Sequence, residues 1–196
     1  MRIIAGESRG RRIKSVHRSG TRPTMDRVRE SLFDMLTPRI SGCTFLDLFA
    51  GTGSVGLEAL SRGAIRAAFV DANRSCASAI RENLALMSRQ ADAIVVNRHW
   101  SSALKQLAEH GETFDIVFAD PPYEDENVLN SVVARVVERG LLRPGGRLVL
   151  QHTIRLTLPD ELDGPVCRLD SRRFGETLLS FYRLAGERTD SGVQDD

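Results

Sequence analysis

An apolar run that breaks into closely spaced glycines, at residues 44–56, constrains the fold of this chain more than any other stretch. Residues 44–49 read Thr-Phe-Leu-Asp-Leu-Phe and predict a buried strand that carries one carboxylate, Asp47. Glycines stand at 51, 53 and 56, and apolar residues at helical spacing begin at Val55. A strand, a glycine turn and a helix in this order form the nucleotide-binding corner of a doubly wound sheet. The stretch therefore predicts an α/β fold with a ligand site at the carboxyl end of this strand.

The glycine turn is predicted to hold part of a cofactor. Gly51 and Gly53 can adopt a positive φ, which lets a ligand lie directly against the backbone. The helix that follows offers unpaired N–H groups in its first turn. The predicted cofactor contacts in this turn are Phe49, Ala50, Gly51, Thr52 and Gly53.

Strands and helices alternate through most of the remaining chain. The first helical pattern begins at Thr24, and Pro38 is expected to end this helix. Further helical patterns lie at 54–62, 74–87, 101–110 and 127–139. Strand patterns follow the first strand at 67–71, 93–97, 114–119, 147–151, 166–169 and 178–184. The alternation predicts a mostly parallel sheet, and the last two strands, with no helix between them, predict an antiparallel edge. We expect a Rossmann-like domain at 23–185 with a seven-stranded sheet, and a disordered acidic tail at 186–196.

Residues 1–22 are predicted to form a basic arm, with a β-hairpin over residues 2–18. Residues 1–30 contain nine Lys and Arg against three Asp and Glu, a net charge of +6, although the whole chain carries only +1. Such clustering suggests a polyanionic partner. The candidate RNA contacts are Arg9, Arg11, Arg12 and Lys14. The alternative is a solvated arm that binds nothing.

Composition excludes several classes of protein. Hydrophobic residues make up 41% of the chain and charged residues 27%, as in ordinary globular proteins, and no apolar stretch approaches membrane-spanning length. The first residues lack the hydrophobic region of a signal peptide, so a cytoplasmic location without membrane contact is expected. The three cysteines and four histidines share no ligand spacing, and we therefore predict no metal site.

Two carboxylates near the glycine turn indicate which cofactor binds. Asp71, with Ala72 beside it, lies 20 residues after Gly51, where an acid would meet ribose hydroxyls. This feature fits NAD as well, and a helix N-cap is the alternative role of Asp71. Asp47 needs an ammonium group or the N–H groups of the turn, because an unpaired carboxylate in an apolar strand is costly. It would repel a pyrophosphate but attract the ammonium and sulfonium of S-adenosylmethionine, which we therefore favour over NAD.

The most specific chemical signal is Asp120-Pro121-Pro122-Tyr123, at the end of the fourth strand. The two prolines lack N–H groups and fix their own φ, and they push the residues before them into an extended conformation. The result is a stiff loop with many acceptors and few donors, which suits a planar amino group. The Asp120 carboxylate and the Pro121 carbonyl would accept its two hydrogens, and Tyr123 would stack on the attached base. The alternative is an ordinary strand-to-helix turn with a capping aspartate.

The reaction that these features predict is in-line methyl transfer from sulfonium to nitrogen, with most of the catalysis supplied by positioning. A base in paired RNA must leave the stack to reach such a pocket.

Taken together, these stretches resemble the RsmD family of bacterial small-subunit rRNA guanine-N2 methyltransferases. The segments that carry the resemblance are Arg2-Ile3-Ile4-Ala5-Gly6 with Arg9-Gly10-Arg11, Arg22-Pro23-Thr24-Met25-Asp26-Arg27-Val28-Arg29-Glu30-Ser31-Leu32-Phe33, residues 46–56, Phe118-Ala119-Asp120-Pro121-Pro122-Tyr123, and Gly175-Glu176-Thr177. The resemblance extends from Arg2 to about Leu184.

The resemblance implies a Rossmann-like methyltransferase domain that uses S-adenosylmethionine and modifies one guanine of 16S rRNA in the small subunit or its assembly intermediate. It implies that Asp120, Pro121, Pro122 and Tyr123 hold the target base, that Asp47, Gly51 and Gly53 line the methionine part, and that Asp71 binds the ribose. Arg22 and Thr24 would close over the cofactor, and His99 and Trp100 lie in the segment that would meet the adenine. We expect a monomer.

Other functions stay open from the sequence alone. The Asp-Pro-Pro-Tyr loop suits every planar amine, so a DNA adenine or a protein glutamine is an alternative target. An NAD-dependent dehydrogenase is an alternative from another class, and Asp47 argues against it. A non-catalytic RNA-binding module is a further alternative, and the intact acceptor loop argues against that.

Overall fold

The computed structural model describes residues 1–16, 26–121, 126–162 and 166–184. Its helices are α1 (Asp26–Ile40), α2 (Ser54–Ser61), α3 (Arg74–Leu86), α4 (Trp100–Glu109) and α5 (Glu126–Glu138). Its strands are β1 (Thr44–Leu48), β2 (Arg66–Val70), β3 (Ala93–Val96), β4 (Phe114–Ala119), β5 (Leu142–Thr153), β6 (Glu161–Leu162), β7 (Val166–Phe174) and β8 (Thr177–Leu184).

The strands of the described residues form one sheet in the order β3-β2-β1-β4-β5-β8-β7-β6. The pairs from β3 to β5 are parallel, and the pairs from β5 to β6 are antiparallel. The predicted α/β class, with a mostly parallel sheet and an antiparallel edge, is confirmed. The predicted number of seven strands is corrected to eight. The additional strand, β6, has only two residues, which is too short to show an alternating pattern.

Three predicted boundaries also differ from the structure. Helix α1 continues past Pro38 to Ile40, because a proline in the last turn removes one helical hydrogen bond while Ile40 is still buried in the core. Strand β5 begins at Leu142 rather than at residue 147, since a register shift opposite β4 accommodates the intervening Pro-Gly-Gly. Strand β7 extends to Phe174 because it pairs along the whole of β8.

Helices cover both faces of the parallel part of the sheet. On one face, aromatic residues such as Phe45, Phe69 and Phe118 pack in a core shared with α1, α2 and α3. On the other face, residues such as Leu46 and Val117 pack in a core shared with α4 and α5. Burial on both faces explains why β1 is apolar along almost its whole length. The carboxyl ends of β1, β2, β4 and β5 therefore meet at one edge of the sheet between the helix layers.

The N-terminal arm, residues 1–16, folds back on itself in a short antiparallel pairing. Arg2 and Arg12 form an isolated bridge, and the Ile3 N–H donates to the Arg11 carbonyl at 3.0 Å. This pairing matches the predicted hairpin in a shortened form, and residues 17 and 18 lie outside the described part of the chain. Gly6, with φ of 83°, lies so close to α2 that a Cβ there would come within 1.8 Å of the Ser61 carbonyl oxygen.

Buried polar residues fix this arm to the domain. Glu58 of α2 is fully buried and accepts the N–H groups of Ile4 and Ala5 at 2.8 and 2.9 Å. Asn83 of α3 accepts the Lys14 N–H at 2.7 Å and donates to the carbonyls of Lys14 and Thr52. Because Thr52 belongs to the glycine turn, Asn83 connects the arm directly to the predicted site.

Candidate functional site

A cavity of about 820 Å³ opens at the edge where the carboxyl ends of β1, β2, β4 and β5 meet. This is the edge at which doubly wound sheets bind ligands. The arm also reaches the cavity, because Ser15 and Val16 form part of its wall. The cavity thus lies at the edge where the glycine corner predicted a ligand site.

The glycine turn has the backbone conformation that its sequence predicts. Gly51 and Gly53 have φ values of 55° and 80°, in the left-handed region that glycine adopts without strain. Phe49 also has a positive φ, 63°, which is costly for a side-chain-bearing residue and is typical of functional sites. Gly56 packs against the Phe69 ring, where a Cβ would come within 2.3 Å, so α2 approaches β2 closely.

The turn residues differ in what they present to the cavity. Phe49, Ala50, Gly51 and Thr52 line it. Gly53 is buried beside the side chains of Ile80, Phe69 and Leu57 and is outside the set of residues that line the cavity.

Asp71 braces the glycine turn from the end of β2. One carboxylate oxygen accepts the Gly51 N–H at 2.8 Å, and the other accepts the Asn73 N–H at 2.7 Å. The N-cap of α3 is Asn73, whose side chain accepts from Ser75 and Cys76, so the capping alternative for Asp71 is wrong. Asp71 is half-buried and lines the cavity together with the exposed Ala72. Each oxygen keeps a lone pair that a ligand hydroxyl can use.

Asp47 is the buried carboxylate that the sequence singled out. It is only 2% exposed, and within the described residues its hydrogen bond comes from the Gly56 N–H at 2.9 Å. Burial, with the nearby charges of Asp120 and Asp71, raises the pKa of Asp47 to about 7. The turn therefore supplies one of the partners that the sequence demanded, and a cation in the cavity would supply a second.

Asp120 follows β4 at the centre of the same edge. Burial raises the pKa of Asp120 to about 7, and a hydrogen bond from the Gln151 side chain opposes the rise. Its backbone N–H donates to the Leu48 carbonyl at 3.4 Å, which joins the loop after β4 to the end of β1. Pro121 lines the cavity beside it, whereas Pro122 and Tyr123 lie outside the described residues.

Two aromatic residues stand at one end of the cavity. The rings of Phe49 and Trp100 have centroids 6.4 Å apart and are tilted by 52°, and both line the cavity. His99 is exposed and caps α4, because its ring nitrogen accepts the Ser101 N–H. A flat ligand group can therefore meet an apolar surface here.

The charge of the cavity is negative. Its walls contain the carboxylates of Asp47, Asp71, Asp120 and Glu176, and among the described lining residues Arg98 is the one arginine or lysine. Such a site favours cationic or donor-rich ligands over phosphates.

The candidate RNA-binding residues of the arm lie on the surface. Arg9, Arg11 and Arg12 are exposed, and within residues 1–16, 26–121, 126–162 and 166–184 no carboxylate pairs with them. Lys14 is paired with Glu82 of α3 at 2.5 Å. Arg22 and Thr24 fall outside the described residues.

Sequence reasoning missed several residues that the fold brings to the cavity. Gln151, His152 and Thr177 come from β5 and β8, and Ser15 and Val16 come from the arm. Thr177 belongs to the Gly175-Glu176-Thr177 segment that carries the family resemblance, and the other four belong to no recognisable motif. Gln151 was available from the order of strands, since it comes one residue after Leu150, which pairs with Ala119 immediately before Asp120.

Within the described residues, no three His, Cys, Asp or Glu side chains cluster in a way that could hold a metal ion. No described helix has the length and apolar character needed to span a bilayer.

Known proteins resemble this chain over most of its length. A family model described as conserved hypothetical protein 95 matches residues 1–183. The candidate rRNA methyltransferase YlbH of Bacillus subtilis is 34% identical over 95% of this chain and 100% of its own length. Ribosomal RNA small subunit methyltransferase D of Escherichia coli is 38% identical over 81% of this chain and 78% of its own length.

A solved Escherichia coli structure, described as the candidate methyltransferase yhhF, superposes with a TM-score of 0.83. It is 30% identical, and the superposition covers 95% of this chain and 99% of that one. The fold is therefore the Rossmann-like fold of methyltransferases, as predicted. With a family model that spans almost the whole described chain, the chain belongs to the conserved hypothetical protein 95 family, the RsmD family.

Proposed function

We propose that this protein transfers the methyl group of S-adenosylmethionine to the exocyclic N2 of a guanine in small-subunit rRNA. The observation that carries the proposal is the juxtaposition of three carboxylates, Asp47, Asp71 and Asp120, in one cavity of an RsmD-family chain. Asp47 and Asp71 suit the cofactor, and Asp120 suits the amine of the guanine.

The carboxylates fit the charge pattern of S-adenosylmethionine. Asp47 is buried at the glycine turn with a single described hydrogen bond, so the ammonium group of the amino-acid end would relieve its desolvation. Asp71 has lone pairs free for ribose hydroxyls, and Phe49 and Trp100 offer an apolar face to the adenine. A dinucleotide pyrophosphate would meet the same carboxylates as like charges, so NAD fits poorly.

The cofactor supplies an activated methyl group on a positively charged sulfur, and the residues of the chain supply the position of the acceptor. Asp120 and the Pro121 carbonyl would accept the two hydrogens of the amine and aim its nitrogen lone pair into the cavity. Asp120 must be ionised to accept one hydrogen of the amine as well as the hydrogen bond from Gln151. Its pKa of about 7 places this requirement near neutral pH.

The relatives support rRNA as the substrate. The Escherichia coli relative is named as a small-subunit rRNA methyltransferase, and the alignment covers most of both chains. The arm that exposes Arg9, Arg11 and Arg12 also supplies Ser15 and Val16 to the cavity wall, so an RNA that enters the cavity could also meet the arm through its phosphates. The division into arm, domain and tail, the cytoplasmic location and the monomeric state stay predictions.

An Asp120→Ala variant tests the proposal. We expect methyl transfer to small ribosomal subunits to fall by about 100-fold or more, because both positioning and the negative charge are lost. The affinity for S-adenosylmethionine, measured by calorimetry, should change little. Asp34→Ala, which removes an exposed carboxylate of α1, is the control. Transfer by Asp120→Ala at the wild-type rate would contradict the assigned role.

A further inference from the structure

One acceptor in the cavity has no partner in the structure. Gln151, at the end of β5, lines the cavity, and its side-chain oxygen Oε1 is buried without a hydrogen-bond partner among the described residues. Leaving a buried polar atom unpaired costs free energy, and native proteins do it rarely. A buried acceptor that faces a binding cavity is therefore expected to meet a donor on the ligand.

Asp120 determines which end of the Gln151 amide faces the ligand. Ala119 pairs with Leu150 in the parallel ladder, so Asp120, the residue after β4, lies beside Gln151, the next residue of β5. The Gln151 side chain hydrogen-bonds the Asp120 carboxylate. An ionised carboxylate only accepts, so the amide must give its NH₂ group to Asp120 and leave Oε1 for another donor.

We infer that Gln151 Oε1 accepts the ring N1–H of the target guanine and so selects guanine among planar amines. This inference rests on the proposed function. Guanine is the base whose amine has a ring N–H beside it. In adenine and cytosine the ring nitrogen next to the amine is an acceptor, and in a glutamine amide the neighbouring atom is a carbonyl oxygen.

The three acceptors then match three donors on one edge of the base. Asp120 and the Pro121 carbonyl take the two hydrogens of N2, and Gln151 takes N1–H. An adenine in the same position would place its N1 lone pair against Oε1, with no hydrogen between them. A site built to bind a donor rejects the analogue that lacks it much more strongly than an apolar pocket rejects a small change in size.

Variants of Gln151 separate this role from a merely structural one. Gln151→Leu removes the acceptor and the hydrogen bond to Asp120 together. Gln151→Glu keeps an acceptor for N1–H but can no longer donate to Asp120 once both groups are ionised. Gln106→Leu is the matched control, because Gln106 Oε1 is also buried without a described partner, but Gln106 lies on α4 outside the cavity lining.

The experiment measures single-turnover methylation of small ribosomal subunits that lack this modification, at pH 8.5, with nucleoside mass spectrometry of the product. We expect Gln151→Leu to slow formation of N2-methylguanosine by about 10- to 100-fold, with S-adenosylmethionine affinity within about twofold of the wild type. Gln151→Glu should stay within about fivefold of the wild type, and Gln106→Leu should match it.

Two results would overturn the inference while the proposed function stands. In one, Gln151→Leu forms N2-methylguanosine at the wild-type rate. In the other, Gln151→Glu is as slow as Gln151→Leu, which would show that Gln151 acts only by orienting Asp120. If the wild type itself forms no N2-methylguanosine, the proposed function fails, and the inference fails with it.

Discussion

At the scale of single residues, the buried carboxylate Asp47 combines a proposed role in cofactor binding with a cost to the stability of the folded protein. Its side chain is 2% exposed and has one described hydrogen bond, so its charged form is poorly stabilised by the surrounding residues. The pKa of about 7 reflects this poor stabilisation of the charged form. This cost is consistent with the role proposed for Asp47 in binding the ammonium group of the cofactor.

The Asp47→Asn variant should be more stable than the wild type but bind the cofactor less well. In the wild type, the folded state holds a proton on Asp47 between about pH 4 and pH 7 that the unfolded state has lost, so stability falls as pH rises through this window. The variant has no carboxylate at this position, so its stability does not fall in this way. We expect its melting temperature to exceed that of the wild type at pH 8 and to approach it near pH 4, as measured by calorimetry.

The same variant should bind S-adenosylmethionine about 10- to 100-fold more weakly at pH 8, because one charge-assisted hydrogen bond is lost. Equal affinity would show that Asp47 does not meet the ammonium group. If the melting temperature of Asp47→Asn at pH 8 lies below that of the wild type, the Asp47 carboxylate stabilises the folded protein, which would contradict this account.

At the scale of elements, a buried ion cluster joins the arm to α1 and α2. Arg29 and Glu58 are both fully buried, with Arg29 Nε 3.7 Å from Glu58 Oε2, and Arg62 Nε is 2.8 Å from Glu58 Oε1. Burial lowers the pKa of Arg29, and the charge of Glu58 opposes this. Arg29 also donates to the Arg2 carbonyl at 2.7 Å, so the cluster holds the first segment of the arm, residues 2–5, against the domain.

Replacing Glu58 with Gln should destabilise the protein by about 3–5 kcal/mol, because the buried Arg29 loses its buried counter-charge and keeps only the exposed carboxylate of Asp26. Urea unfolding measures the change. Trypsin should also cut the arm faster, since the N–H groups of Ile4 and Ala5 lose their carboxylate acceptor. The exposed Glu82→Gln variant, which removes the solvent-exposed ion pair with Lys14, should cost much less. Equal effects of the two variants would contradict this account of the cluster.

The elements also show what the sequence can and cannot predict. The strand, glycine turn and helix at residues 44–61 were predictable because each depends on local pattern and on φ values that glycine favours. The two-residue β6 and the start of β5 were not, because pairing with distant strands determines them. The packing of Asn83 against Lys14 and Thr52 joins residues up to 69 positions apart, and no local pattern reveals it.

The same distinction applies within the site. Asp47, Asp71 and Asp120 stood out because each is a carboxylate within or directly after an apolar strand. Gln151 lies near the carboxyl end of β5, but a neutral amide in a strand is unremarkable until its unpaired oxygen is seen in the cavity. Gly53 has the predicted backbone conformation, although it faces the core rather than the cavity.

At the scale of the whole molecule, charge is divided between an acidic cavity and a basic arm. The cavity carries four carboxylates against Arg98 among its described lining residues, whereas the arm exposes Arg9, Arg11 and Arg12. This division suits a cationic cofactor inside and a polyanion outside. The arm is fixed to α2 and α3 by Glu58 and Asn83, so its exposed arginines form a basic surface of defined position.

Replacing Arg9, Arg11 and Arg12 together with alanine should weaken RNA binding and reduce its dependence on salt. Each lost phosphate contact lowers the slope of log K against log salt by about 0.7 to 0.9. Filter binding at several salt concentrations measures the slope. The control replaces Arg66, Lys105 and Arg135, three exposed cations outside the arm, with alanine. If the control lowers the slope as much as the arm variant does, the arm is not the RNA contact.

The central claim, methylation of guanine N2 in small-subunit rRNA, is tested most directly by nucleoside mass spectrometry of 16S rRNA from cells with and without this gene. The deletion should abolish one N2-methylguanosine, and the wild-type gene, but not the Asp120→Ala variant, should restore it. An unchanged N2-methylguanosine content in the deletion, or full restoration by Asp120→Ala, would contradict the account.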